Sequence, residues 1–80
     1  MKKLVAIIVG GTGQFGIITS NLLLKKNYKV VVTTRNIKKR KLFKKNKNLN
    51  VVKLNIYNKE SIEGLLIKYK PKIIFYYAGQ

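Results

Sequence analysis

Gly10-Gly11-Thr12-Gly13-Gln14-Phe15-Gly16 is the stretch on which the reading of this chain turns. Gly10, Gly13 and Gly16 recur at every third position, between an apolar run and a segment of helical period. Each glycine has a separate physical use. One permits a tight strand-to-helix turn, one lets the backbone approach a bound anion with no Cβ in the way, and one lets the helix pack close to a sheet. The start of the helix then offers free N–H groups and a positive dipole end.

Before the glycines, Leu4 to Val9 is continuously apolar. A run this short suits a strand buried on both faces. After them, Phe15, Ile18, Leu22 and Leu23 recur at helical spacing, which predicts a helix from Gln14 to Lys26 with those residues along one face. Lys25 and Lys26 suit its C-terminal dipole, and Asn27 is a stop signal. Tyr28 to Thr34, rich in β-branched residues, is a second strand closed by Arg35 and Asn36.

Ile37 to Asn50 is a basic stretch with few apolar residues, read as a short, poorly packed helix and a loop. Val51 to Ile56 is a third strand. Asn58 can cap a helix with Glu60 and Glu63 near its start. Ile62, Leu65, Leu66 and Tyr69 fit the helical template, and Pro71 ends it. Lys72 to Tyr77 is a fourth strand, followed by a turn at Ala78-Gly79-Gln80. Strands alternating with helices imply right-handed crossovers and a parallel sheet. The expected architecture is the first half of an α/β, Rossmann-like three-layer fold, β-α-β-α-β-α-β, with strand order 3-2-1-4.

Composition narrows the chemistry. The chain has 80 residues, at most one small domain, and a chain of this size buries only roughly 60% of its unfolded surface. It contains neither cysteine nor histidine, which excludes disulfides, Cys/His zinc sites and His-based acid–base catalysis within these residues. The lack of cysteine fits a reducing cytoplasm, the expected location. Met1-Lys2-Lys3 and the apolar run imitate a signal peptide, but the run ends in glycines without a cleavage site. No stretch approaches the roughly 18 apolar residues of a membrane span.

Eighteen Lys and Arg stand against two Asp and Glu, for a net charge of +16. Two readings are open: attraction to a polyanion, or compositional drift, since Lys is accompanied by many Asn, Ile and Tyr. No helix-turn-helix, zinc or RNP pattern appears, so nucleic acid is not the expected partner. The end of the second strand normally selects the dinucleotide: an acidic residue there binds a ribose hydroxyl, and a basic one accommodates a 2′-phosphate. Arg35 occupies that place, Lys38, Lys39 and Arg40 follow, and no acidic residue precedes Glu60. NADP is therefore expected over NAD.

The spacing Gly10-x-x-Gly13-x-x-Gly16 resembles the extended short-chain dehydrogenase/reductase superfamily of nucleotide-sugar epimerases and dehydratases. Thr12-Gly13-Gln14 is similar to the GDP-mannose 4,6-dehydratase branch, whose loop reads T-G-Q-D-G, with Phe15 in place of the Asp. Arg35 stands where that branch carries an Arg pair beside the 2′-phosphate, and Asn36 replaces the second Arg. Leu54-Asn55-Ile56-Tyr57-Asn58 is similar to its G-D-L-x-D segment, Asn55 and Ile56 standing for the Asp-Leu at the adenine. The segment from Pro71 to Gln80 looks like its fourth strand and the A-A/G-Q-S turn under the cofactor, which implicates Ala78 and Gly79. The implied cofactor residues are thus Gly10, Thr12, Gly13, Gln14, Phe15, Gly16, Arg35, Asn36, Asn55, Ile56, Ala78 and Gly79.

Departures are also visible. Val9 replaces the usual Thr before the first glycine. The superfamily's chemistry rests on Tyr-x-x-x-Lys, and four residues after Tyr28, Tyr57, Tyr69 and Tyr76 stand Val32, Ser61, Ile73 and Gln80. The resemblance therefore implies the N-terminal part of an NAD(P)-binding domain, with catalytic segment and substrate domain outside these residues and no catalytic residue within them. A full-length relative would oxidise a nucleotide sugar at C4, eliminate water across C5 and C6 and return the hydride to C6, as a homo-oligomeric lyase. A different epimerase, a reductase and a regulatory NADP sensor remain alternatives, as does a small basic nucleic-acid-binding protein. A partial fold should also leave its fourth strand as an uncovered apolar edge and be prone to aggregation.

Overall fold

The structure is a computed structural model that describes residues 3–10 and 12–77. Four parallel strands form one sheet: β1 (Val5–Val9), β2 (Lys29–Thr34), β3 (Leu49–Lys53) and β4 (Ile73–Tyr76). Their spatial order is β3-β2-β1-β4, as the alternation of elements predicts. Val5 to Ile8 align with Lys29 to Val32, Ala6 to Val9 with Ile73 to Tyr76, and Val30 to Thr34 with Leu49 to Lys53.

The apolar runs of β1 and β2 fall in the middle of the sheet, where both faces are covered. Ala6, Ile7, Ile8, Val30, Val31 and Val32 are completely buried. Full burial of a Val or Ile side chain contributes about 1.5–3 kcal/mol, so these two strands hold most of the core. Alternate residues serve opposite faces. Ala6, Ile8, Val30 and Val32 pack with Leu23 on one side, and Ile7, Val9 and Val31 pack with Leu65, Leu66 and Tyr69 on the other.

Helix α1 (Gln14–Lys25) covers the first face and α2 (Lys59–Tyr69) the second. Asn27 takes a left-handed conformation (φ 68°) just past α1, in agreement with its reading as a stop. The Asn58 side chain accepts from the Ser61 N–H at the start of α2, and Lys70 (φ 46°) ends that helix ahead of Pro71.

The structure corrects two expectations. Strand β3 starts at Leu49 and ends at Lys53, so it begins two residues before the predicted Val51 and stops three before Ile56. Leu54 is buried beyond the strand, and Asn55 then turns the chain by accepting from the Tyr57 N–H. The second correction concerns the face of α1. Phe15, Ile18 and Leu22 are 76%, 48% and 54% exposed, and of the predicted stripe only Leu23 is buried. The buried stripe is Gly16, Ser20 and Leu23. Small residues let the helix axis approach the sheet, and the Ser20 hydroxyl is satisfied by donating to the Gly16 carbonyl at 2.7 Å.

Ser20→Leu is accordingly expected to overpack this contact and cost about 1–3 kcal/mol in urea unfolding. Leu22→Ser, at an exposed position, is expected to stay within about 0.5 kcal/mol of the parent. The reverse ranking would restore the face read from hydrophobic spacing.

Between β2 and β3 the chain makes only a six-residue 3-10 turn, Ile37–Leu42, with no buried residue. This matches the poorly packed short helix expected there. β4 pairs with β1 alone among the described residues, and Ile74 and Tyr76 on it are 48% and 60% exposed.

Candidate functional site

The carboxyl ends of β1 and β2 open into a crevice of about 640 Å³. In an open parallel sheet, ligands bind in the crevice outside the carboxyl ends of the strands. Gly10 ends β1 with φ 71°, a conformation that costs other L-residues about 1–2 kcal/mol. Its N–H donates to Thr33 Oγ1 at 2.9 Å, tying the glycine turn to the end of β2. Thr33→Val would orphan that donor and is expected to destabilise the chain by about 1–3 kcal/mol. Thr33→Ser, which keeps the acceptor, should recover most of the loss in the same denaturant titration.

Helix α1 begins at the crevice with Gly13 as its N-cap. No side chain caps it, and its first turn carries no acidic residue. The helix therefore presents its initial N–H groups and positive dipole end without a competing carboxylate. Among the described residues, a Cβ built on Gly13 would meet nothing within 4 Å, so the space beside this backbone is open. An uncapped helix start beside open space suits a phosphate-bearing ligand.

The other wall carries positive charge. Thr34 Oγ1 accepts from the Asn36 N–H, and Asn36 Oδ1 accepts from the Lys38 N–H at 3.0 Å. Asn36 thereby starts the 3-10 turn. Residues three apart share a side of such a turn, which brings Lys39 to the side of Asn36. Arg35, Asn36 and Lys39 all line the crevice. Leu54, Ile56 and the largely exposed ring of Tyr57 form an apolar stretch of the wall. Tyr77 closes one side, and its hydroxyl lies 3.0 Å from Thr19 Oγ1. Because Thr19 already donates to the Phe15 carbonyl, the Tyr77 O–H is the donor in that pair.

Of the residues singled out from sequence, Gly10, Thr12, Arg35, Asn36 and Ile56 line this crevice. Gly13 and Gln14 form the start of α1 beside it, whereas Phe15 faces outward and Gly16 is buried against the sheet. Asn55 is exposed, with its side-chain oxygen engaged by the Tyr57 N–H. Ala78 and Gly79 lie outside the described residues. Sequence reading does not single out Thr33, Thr34, Leu54, Tyr57 or Tyr77 as site residues. The position of Thr33 and Thr34 at the end of a strand is the available signal for two of them. Lys39 is one cation in a run, and only the turn geometry distinguishes it. Among the described residues no cluster of carboxylates could hold a metal ion, and no helix is long and apolar enough to cross a membrane.

Similarity to known proteins follows the same elements. The chain superimposes on the crystal structure of the Bordetella bronchiseptica enzyme WbmH in complex with NAD+ with a TM-score of 0.85 and 25% identity, covering 99% of this chain and 27% of that one. It superimposes on dTDP-glucose 4,6-dehydratase from Bacillus anthracis in complex with NAD with a TM-score of 0.73 and 23% identity, covering 96% of this chain and 27% of that one. The chain thus spans about a quarter of the length of each of these proteins. No curated protein shows significant similarity. A model of the NmrA-like family matches residues 1–77. The matched residues include the glycine turn, both walls of the crevice and all four strands, and the chain belongs to the NmrA-like family.

Proposed function

We propose that this chain is the cofactor-gripping portion of an NADP-dependent nucleotide-sugar dehydratase or epimerase. The observation that carries the reading is the opposition, across one crevice, of the uncapped start of α1 and the cationic wall of Arg35 and Lys39. The helix start suits a pyrophosphate and the cations suit a 2′-phosphate. The wall of Leu54, Ile56 and Tyr57 offers an apolar surface to the adenine. The NAD complexes of the two structural relatives support a nicotinamide dinucleotide in this crevice. Such a group, when bound, accepts and returns a hydride; the residues of this chain hold and orient it.

Within this class, the likeness of Thr12-Gly13-Gln14 to the T-G-Q-D-G loop of the GDP-mannose 4,6-dehydratase branch supports GDP-mannose as the sugar nucleotide, converted by the whole protein to GDP-4-keto-6-deoxymannose. The reading further takes the whole protein as a cytoplasmic homo-oligomer, with the catalytic segment and sugar-binding domain outside this 80-residue stretch. A second reading is another NADP-binding member of the family: an epimerase, a reductase or a regulatory sensor. The match to the NmrA-like model supports that alternative.

Fluorescence titration tests the common core of both readings, since the chain has no tryptophan to interfere with the reduced nicotinamide signal. NADPH is expected to bind at least about tenfold more tightly than NADH, the worth of one charge-assisted hydrogen bond. Equal affinities would remove the 2′-phosphate assignment, and no binding of either would remove the reading itself.

A further inference from the structure

The basic run that follows β2 is divided by the 3-10 turn into two groups. Lys39 enters the dinucleotide crevice, whereas Lys38, Arg40, Lys41, Lys44 and Lys45 surround a separate cleft of about 660 Å³. The floor of that cleft is Phe43, Leu49 and Val51. These three pack at the margin of the α1-side core, on a part of the sheet that the short crossover covers only incompletely. No acidic residue lines the cleft, because the two carboxylates of the sequence, Glu60 and Glu63, lie on α2. Strand β3, which supplies Leu49 and Val51, forms an edge of the sheet among the described residues.

We propose that this cleft at the β3 edge binds single-stranded nucleic acid, with phosphates on the Lys and Arg rim and a base against Phe43. Charge complementarity selects a polyanion. The apolar floor with one aromatic ring between cations selects a polyanion that also carries flat, stackable groups. An acidic membrane would give the floor no such partner, and α1 and α2, which flank other parts of the sheet, contribute no lining residue. The site is independent of the dinucleotide crevice and adds to the proposed function.

Fluorescence anisotropy with a labelled oligouridylate of about 12 nucleotides tests this directly on the chain. Saturating NADPH should leave binding unchanged. With five rim cations, log K against log salt should fall with a slope of about −3.5. Phe43→Leu should weaken binding at least about fivefold by removing stacking. The exposed pair Lys44→Ala/Lys45→Ala, which leaves the core untouched, should flatten the slope by about 1.4. Inorganic polyphosphate of equal charge should compete poorly. The proposal is overturned if the oligonucleotide fails to bind or is displaced by NADPH. It is equally overturned if polyphosphate or phosphatidylserine vesicles compete as well as RNA while Phe43→Leu has no effect.

Discussion

Gly13→Val is expected to weaken dinucleotide binding at least about tenfold while leaving the fold intact. The backbone at this position is extended (φ −79°, ψ 178°), a conformation that valine adopts freely. Among the described residues, a Cβ there meets nothing within 4 Å, which leaves room for a larger side chain. Loss of a favourable N-cap residue typically costs about 1 kcal/mol, and the reduced freedom of the unfolded chain offsets roughly 0.4–1 kcal/mol of this. The unfolding midpoint should therefore move little. The isopropyl group would stand where an anion must approach the first N–H groups of α1. Hydrogen bonds to a charged group contribute about 1.5–3 kcal/mol each, so losing even one weakens NADPH at least about tenfold. Parallel urea and NADPH titrations of the variant separate the two effects. Unchanged affinity would mean that the helix start does not hold the ligand.

The second large effect concerns the choice between cofactors. Arg35→Ala combined with Lys39→Ala removes both cations that line the crevice. Both side chains are exposed, so stability should stay within about 0.5 kcal/mol. NADPH affinity should fall about 10- to 100-fold, the loss of a charge-assisted contact to a phosphate in a screened setting. NADH, which lacks that phosphate, should change by less than about threefold. Added salt should narrow the parent's preference, because exposed charges are screened. A variant that loses both cofactors equally would assign these residues a general anion-attracting role.

These two variants also mark what is legible in the sequence. The glycine turn can be read because a buried strand and a helix surround it. The order 3-2-1-4 can be read because each apolar run is short and each helix is bounded by Asn, Gly or Pro. The helix α1 can be located but not oriented. Phe15, Ile18 and Leu22 carry the strongest hydrophobic period, yet close approach to the sheet requires the small surface of Gly16 and Ser20. Hydrophobic spacing does not register a stripe chosen for size. The end of β3 reads too late because Leu54 and Ile56 are apolar, although Leu54 is buried outside the strand and Asn55 turns the chain. At the site, Arg35 is recognisable by its place after β2. Lys39 is not, since Lys38, Lys39, Arg40 and Lys41 differ only in the side of a three-residue turn on which they fall.

Binding of a dinucleotide in the crevice at the ends of β1 and β2 is tested most directly by titrating the ¹⁵N-labelled chain with NADP+ and following amide chemical shifts. Changes are expected at Gly10, Gly13 to Gly16, Arg35 to Lys39 and Leu54 to Tyr57, with Lys41 to Lys45 unmoved. Shifts confined to Lys41 to Lys45, or no shifts at millimolar cofactor, would contradict it.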